Sequence, residues 1–350
     1  MPGRRERLST IYEVSKLAGV SSATVSRVLN GSDKVRAKTR EKVLAAMREL
    51  EYRPNPMARS LATNRSNCVG VIVPVLYGPF YGEMLAAIES ELREAGKHLI
   101  ITTGQRTREG ERKGIEFLLS RGCDALIARL DSLTDEELVE LASREEAPFV
   151  VLDRRVPGLE DRCLLLDNER GGYLAARFVL ERGHRRVAYI SGPLWKDDAT
   201  ARLEGHRRAL EEFGAPFDEA LFYEGNFEES SGRTGMQQFL DSGRPFSAVV
   251  CANDEMAAGA FGVARERNLA IPDKISIMGY DNVFFSRYFR PQLSTVHNPI
   301  REMGRMAARW ILKEIYGQED LDLQLHFEPE VVERGSVAVL KSDRQRPLPP

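Results

Sequence analysis

A basic, all-α helix-turn-helix head followed by an α/β body of two doubly wound parallel-sheet lobes is the fold class predicted by this 350-residue sequence. Three observations carry that expectation. Charge is divided: residues 1–65 hold 14 Lys and Arg against 6 Asp and Glu, whereas the remainder holds 36 against 46. Two short amphipathic helical patterns meet at Gly19 inside the basic part. From residue 66 onward, apolar runs alternate with helical patterns in two successive series.

In the head, Ile11, Val14, Leu17 and Ala18 recur at helical spacing and give a first helix that stops at Gly19. Ser21 is an N-cap for a second helix. That helix turns Val25, Val28 and Leu29 inward and Ser22, Ala23, Ser26 and Arg27 outward. A third amphipathic helix, 38–50, buries Val43, Ala46, Met47 and Leu50. A plain three-helix bundle would explain the periodicity alone. The coincident basic charge favours a module whose second helix enters a major groove, with a polyanion as partner.

The stretch YRPNPMARSLATN follows. Asn55 can cap, Pro56 suits a first helical position, and Met57, Ala58 and Leu61 share one face of a helix of under two turns. Such a helix is marginal on its own, since isolated helices below about 12 residues are unstable in water. An ordinary linker is the alternative.

In the body, VGVIVPV, HLIITT, DALIAR, PFVVLD and CLLLD form the first strand series, with helices near 80–95, 108–120 and 134–144. RVAYIS, ALFYEG, FSAVVCAND and KISIMGYDN form the second. Ligands of open parallel sheets sit beyond the carboxyl ends of strands. Asp153, Asn253, Asp254, Asp281 and Ser191 fall at such ends, and the helix after Ser191 offers Asp198 and Arg202. This acidic, amidic and singly cationic set suits sugar hydroxyls, with Phe80 and Phe227 covering C–H faces. Each has a plainer reading: Asp254 as a helix cap, Asp281 as a turn residue, Phe80 as core, and Arg202 as a surface ion-pair partner.

The segment TIYEVSKLAGVSSATVSRVLNGSDKVRAKTREKVLAAMRELEYRPNPMARSLA, residues 10–62, resembles the DNA-binding head of the LacI/GalR transcriptional regulators. The resemblance implies that Ser22 and Ala23 choose operator bases, that Arg27 adds a base contact, and that Thr10, Ser21, Thr24, Ser26, Asn30 and Thr39 hold phosphates. It also makes 54–65 a hinge helix that pairs with its dimer mate in the minor groove. Asn55 and Ala58 lie on that helix, and Leu61 wedges into the central base step.

Residues 66–340 resemble the same family's effector domain, a periplasmic-binding-protein-like body, through VPGLEDRCLLLDN, LERGHRRVAYISG, FSAVVCANDEMAAGA, ISIMGYDNVFFSRYFRPQLSTV and VVERGSV. Galactose-type members are the nearest in appearance. That resemblance places Phe80, Asp153, Asp198, Arg202, Phe227, Asn253 and Asp281 in an effector cleft. GPLWKDDATARLEGH departs from the pattern: Lys196 stands where purine-responsive members carry an arginine.

The implied organisation is a disordered basic arm (1–9), a DNA-binding domain (10–53) and a hinge (54–65). An N-terminal lobe (66–166 plus 297–326), a C-terminal lobe (167–296 plus 327–340) and a disordered tail (341–350) complete it. The chain is expected to cross between lobes near Asp167, Val296 and Phe327, returning Pro299–Tyr316 to the N-terminal lobe.

The expected function is a cytoplasmic repressor that binds a pseudo-palindromic operator in double-stranded DNA as a homodimer. A sugar effector would release it, with no cofactor, metal or membrane partner. A co-repressed regulator responding to a purine or other metabolite is the alternative. A solute receptor would need the apolar signal that MPGRRERLST lacks. For an enzyme, GxGxxG, Walker A, HExxH and GxSxG are missing, and His98, His184, His206, His297 and His326 show no triad or metal spacing. No run approaches the ~20 apolar residues of a membrane span. Cys68, Cys123, Cys163 and Cys251 lack paired spacing and are read as reduced. The ending VLKSDRQRPLPP carries no heptads, so assembly is expected to stop at the dimer.

Overall fold

A computed structural model describes residues 9–29, 34–52, 65–144 and 148–340, which divide into two compact units meeting at Asn67 and Cys68. The first is helical: α1 (Ile11–Ala18), α2 (Ser22–Leu29) and α3 (Ala37–Glu49). Thr10 starts α1 through a capping box, its hydroxyl accepting from the Glu13 amide at 3.3 Å while the Glu13 carboxylate accepts from the Thr10 amide at 2.7 Å. Gly19 ends it at φ 63°, in the left-handed region where a side chain would be strained. The Ser21 hydroxyl then caps α2 by accepting from the Thr24 amide at 3.2 Å.

Val14, Ala18, Val25, Val28, Val43 and Ala46 form the core of this unit, with Ile11, Leu29, Met47 and Leu50 packed around it. Of the four apolar residues at helical spacing in α1, Leu17 stays out of the core and is 46% exposed. Val14 and Ala18 set the buried stripe four residues apart, and Ser15 fills the adjacent position by donating its hydroxyl to the Tyr12 carbonyl at 2.8 Å.

The second unit contains two parallel sheets. Its strands are β1 (Cys68–Val73), β2 (His98–Thr103), β3 (Ala125–Ala128), β4 (Phe149–Leu152), β5 (Cys163–Leu166), β6 (Val187–Ser191), β7 (Phe222–Glu224), β8 (Ala248–Cys251), β9 (Ser276–Met278), β10 (Thr295–His297), β11 (His326–Phe327) and β12 (Glu330–Val332). The helices are α4 (Pro79–Glu94), α5 (Arg108–Ser120), α6 (Asp135–Ser143), α7 (Asn168–Glu181), α8 (Asp197–Glu212), α9 (Glu229–Asp241), α10 (Asp254–Glu266) and α11 (Ile300–Glu314). The first sheet runs β11-β5-β4-β3-β1-β2 and the second β7-β6-β8-β9, while β10 and β12 form a short antiparallel ladder.

Strand periodicity explains why both sheet faces are covered. Val69, Val71 and Val73 of β1 join the cluster that contains Met84 and Ile88 of α4 and Met303 and Ala307 of α11. Ile72 packs instead with Ile115 and Leu118 of α5 and Leu138 of α6. In the second lobe, α7 and α8 approach closely at Gly172, where a Cβ would stand 2.0 Å from the Arg202 carbonyl oxygen. That approach fixes the turn of α8 that carries Arg202. No helix among the described residues is long and apolar enough to cross a membrane.

Candidate functional site

In the helical unit, Ala23 and Arg27 are exposed on α2, and Ser22, Thr24 and Ser26 are half-buried beside them. Ser22 donates weakly toward the Ser15 hydroxyl at 3.4 Å. Thr10 and Ser21 are exposed caps, and Thr39 is half-buried on α3. α2 therefore presents a short, hydroxyl-lined, cationic face whose opposite side is the unit's core. Asn30, and the hinge residues Asn55, Ala58 and Leu61, lie outside the described residues.

In the second unit, the segments that follow the carboxyl ends of β1, β2, β3, β6, β7, β8 and β9 converge on a cavity of about 240 Å³ between the two sheets. Phe80, Asp198, Arg202, Phe227, Asn253 and Asp281 line it. Asp153 does not. It stands behind the wall at φ 55°, accepting from Asn168 Nδ2 at 2.9 Å and from Arg129 Nη2 at 3.3 Å.

Phe80 borders the cavity while also packing on the core, so the core reading of that residue holds in part. Phe227, at φ 67°, lies over Gly192, where a Cβ would meet the ring at 2.1 Å. The helix-cap reading of Asp254 is corrected. Asn253 caps α10, its Oδ1 accepting from the Met256 amide at 2.9 Å and its Nδ2 donating to the Phe227 carbonyl at the same distance. Asp254 turns the other way and accepts from Thr295 Oγ1 at 2.7 Å and the Val283 amide at 3.0 Å. It thereby fastens the turn that carries Asp281. Ser191 is buried and donates to the Gly192 carbonyl at 2.6 Å.

Arg202 is 3% exposed rather than paired on the surface. Its guanidinium donates to Asn168 Oδ1 at 2.9 Å and the Ala252 carbonyl at 2.7 Å, lies 3.8 Å from the Tyr280 ring centroid, and stands 3.9 Å from Asp281. Burial pushes the Asp281 carboxyl up to about 7 despite Arg202 and a hydrogen bond from Asn298 at 3.2 Å.

The expectation of a singly cationic site is also corrected, because Arg129 and Lys196 join Arg202 as buried cations. Arg129, which follows β3, donates to Asp131 at 2.6 Å and to Asp198 at 2.9 Å, besides Asp153. Lys196 stands 3.0 Å from Asp131 and 3.7 Å from Asp198. Burial opposes the charge of each cation, yet the surrounding carboxylates outweigh it and hold both protonated. Burial likewise opposes the Asp198 carboxylate, but Lys196, Arg129 and Arg202 keep it ionised. Glu111, fully buried on α5, accepts the amides of Asp131, Ser132 and Leu133 at 2.8–3.0 Å and so shapes the turn presenting Asp131.

At the cavity mouth, Glu228 beyond β7 accepts from Tyr77 at 2.6 Å and from Arg106 at 3.1 Å, both beyond strands of the first sheet. Arg129 carried the strand-end signal that marked Asp153, whereas Tyr77, Arg106 and Glu228 sit in loops with no such mark. The arrangement holds no nucleophile-base pair among the described residues. It offers hydroxyl-binding carboxylates and amides, fixed cations and aromatic faces, from both lobes, around one small-molecule space.

Comparison with known proteins matches residues 10–55 to the bacterial regulatory proteins of the lacI family and residues 176–337 to the periplasmic binding protein-like domain. The HTH-type transcriptional regulator GalR of Escherichia coli (strain K12) is 38% identical over 331 residues, covering 95% of this chain and 96% of the relative. The HTH-type transcriptional repressor PurR of Proteus mirabilis is 35% identical, covering 95% and 97%. The lac repressor dimer bound to operator and the anti-inducer ONPF is similar in structure, with a TM-score of 0.83, 30% identity and coverage of 95% and 100%.

Proposed function

The chain belongs to the lacI family of bacterial regulatory proteins, and on that premise we propose that it represses transcription until a sugar binds between the lobes of its second unit. The operator is a pseudo-palindrome held by a homodimer, one helical unit per half-site. Ser22, Ala23 and Arg27 read bases, while Thr10, Ser21, Thr24, Ser26, Asn30 and Thr39 position phosphates. The hinge, 54–65, sets Asn55, Ala58 and Leu61 at the minor groove. The lobes are 66–166 plus 297–326 and 167–296 plus 327–340.

The observation that carries the effector assignment is the lining of the cavity. Asp281, Asn253 and Arg202 from one lobe, facing Phe80 from the other, give hydroxyl-binding groups beside flat apolar surfaces. A sugar has both kinds of surface. Asp153 acts at one remove, by holding Arg129 and Asn168.

The test is fluorescence anisotropy of labelled operator with the full-length dimer across a saccharide panel. The reading requires at least one sugar that releases DNA at concentrations where a nucleobase does not. One observation favours a second reading: Lys196 adds a fixed cation to the cavity wall, which suits a carbonyl-bearing heterocycle. A nucleobase that tightens operator binding would establish that co-repressed alternative.

A further inference from the structure

Trp195 is 54% exposed, and among the described residues its indole makes no hydrogen bond and no ring contact. The segment that carries it is nevertheless fixed. The Leu194 amide donates to Glu224 at 2.8 Å, the Leu194 carbonyl accepts from Thr200 Oγ1 at 2.8 Å, and the Lys196 amide donates to the Pro193 carbonyl at 3.0 Å. The next side chain, Lys196, is buried against Asp131. A large apolar ring is thus held open to solvent on a rigid turn, although covering such a surface is favourable.

Its position explains what could cover it. Beside the main cavity lies a smaller one of about 130 Å³, and Trp195 lines both, together with Arg129, Lys196 and Asp198. Of these four, only Trp195 is not buried. Apart from the buried Leu130, the rest of the smaller cavity is polar: Asp131, Asp153, Arg154 and the exposed Asp197 stand around it. An aromatic face next to carboxylates and cations matches a sugar ring, which has one C–H face and a rim of hydroxyls.

Resting on the sugar reading above, we propose that Trp195 is the platform for a second sugar ring, so that the effector is a disaccharide with one unit in the main cavity and the other on the indole. Lys196, Asp131 and Asp197 then meet hydroxyls of the second ring. Arg202, Asn253 and Asp281 serve the first ring only.

The experiment is a titration of the full-length protein with D-galactose, D-glucose, lactose, melibiose, cellobiose, maltose and trehalose, by calorimetry and by tryptophan emission. The chain has only two tryptophans, and Trp310 is buried with its Nε1 donating to the Asp161 carbonyl at 3.1 Å. Trp310→Phe therefore leaves Trp195 as the single reporter. At least one disaccharide should bind tenfold or more tightly than either of its monosaccharide units and shift the Trp195 emission to the blue. Trp195→Ala should bring that preference within about twofold, and Trp195→Phe should retain most of it.

A monosaccharide that binds as tightly as every disaccharide containing it overturns the second ring and leaves the sugar reading standing. Retention of the disaccharide preference by Trp195→Ala overturns the indole platform in the same way. Failure of every saccharide to bind the folded dimer overturns both.

Discussion

The ammonium of Lys196 lies 3.0 Å from Oδ2 of Asp131, and this ion pair spans the cavity from the N-cap residue of α8 to the loop beyond β3. Both side chains are under a tenth exposed. Removing one partner leaves the other buried with fewer opposite charges, Asp131 keeping Arg129 at 2.6 Å and Lys196 keeping Asp198 at 3.7 Å, so the loss should fall below the roughly 3–5 kcal/mol of a fully unpaired buried charge. Lys196→Met and Asp131→Asn should each lower the denaturation midpoint of the second unit, and the double variant should lose less than the two singles combined. Urea unfolding of all four proteins measures the coupling. Strict additivity would mean that the pair contributes nothing across the cavity.

A pH dependence follows from Asp281, whose carboxyl is raised from an ordinary 3.8 to about 7 by burial. Between about pH 4 and 7 the folded chain holds a proton that the unfolded chain has released. Rising pH therefore removes stability through that window, on the order of 4 kcal/mol in full, and nothing further above it. Effector affinity should move in the opposite sense, because the ionised carboxylate is the better acceptor for sugar hydroxyls. Affinity should rise from about pH 6 to 8, and Asp281→Asn should flatten both profiles.

How far the sequence revealed the site can be seen in Arg202 and Arg129. Both α/β lobes were legible because their strands are continuous apolar runs, and strand ends then marked Asp153, Asn253 and Asp281. Arg202 was legible through its place on the following helix. Arg129 follows a strand by the same rule, yet nothing in DALIAR shows that its charge is shared among Asp131, Asp153 and Asp198, which lie beyond three different strands. That sharing places Asp153 behind the wall of the larger cavity and on the smaller one. Leu17 was ambiguous for a similar reason: helical spacing gives a stripe but not its width.

Gly192 offers a steric test of the cavity wall. A Cβ there would overlap the Phe227 ring at 2.1 Å, and Phe227 is already at positive φ with its carbonyl bound by Asn253. Gly192→Ala should displace the ring and reduce effector affinity by roughly tenfold or more, with a stability loss of about 1–3 kcal/mol typical of overpacking. Calorimetry with the sugar identified for the wild type measures the first effect, and thermal unfolding the second. Unchanged affinity would remove Phe227 from the binding surface.

Arg27 and Ala23, both exposed on α2, should separate in kind. Arg27→Ala removes the cation proposed to read a base and should cost about 1–3 kcal/mol while relaxing discrimination at one position. Substituting Ala23 by a larger side chain should change the preferred base more than the affinity. Binding to a randomised half-site library shows both. A variant that weakens specific and nonspecific DNA equally identifies its residue as a phosphate-positioning group.

Effector and operator should also be coupled through the way the two lobes are held together. Arg129–Asp198, Lys196–Asp131 and the contacts of Glu228 with Tyr77 and Arg106 join the lobes across the cavity. The proposed sugar, held by Asn253 and Asp281 and covered by Phe80, should bind this joined arrangement better than an open one. Only that difference in affinity can shift the equilibrium between them. On the proposed hinge reading, a change in lobe angle would alter the separation of the two 54–65 segments in a dimer, and a helix of that length would form or melt for little free energy. Coupling of about 1–3 kcal/mol is expected, and linkage requires operator DNA to weaken sugar binding by the factor by which sugar weakens operator binding. Both legs of the cycle can be measured, one by anisotropy and one by calorimetry. Asp281→Ala should abolish the sugar response while operator affinity without sugar stays within about threefold of wild type. A normal response from this variant would exclude Asp281 from the effector site, and tighter operator binding with sugar present would reverse the sign of the switch.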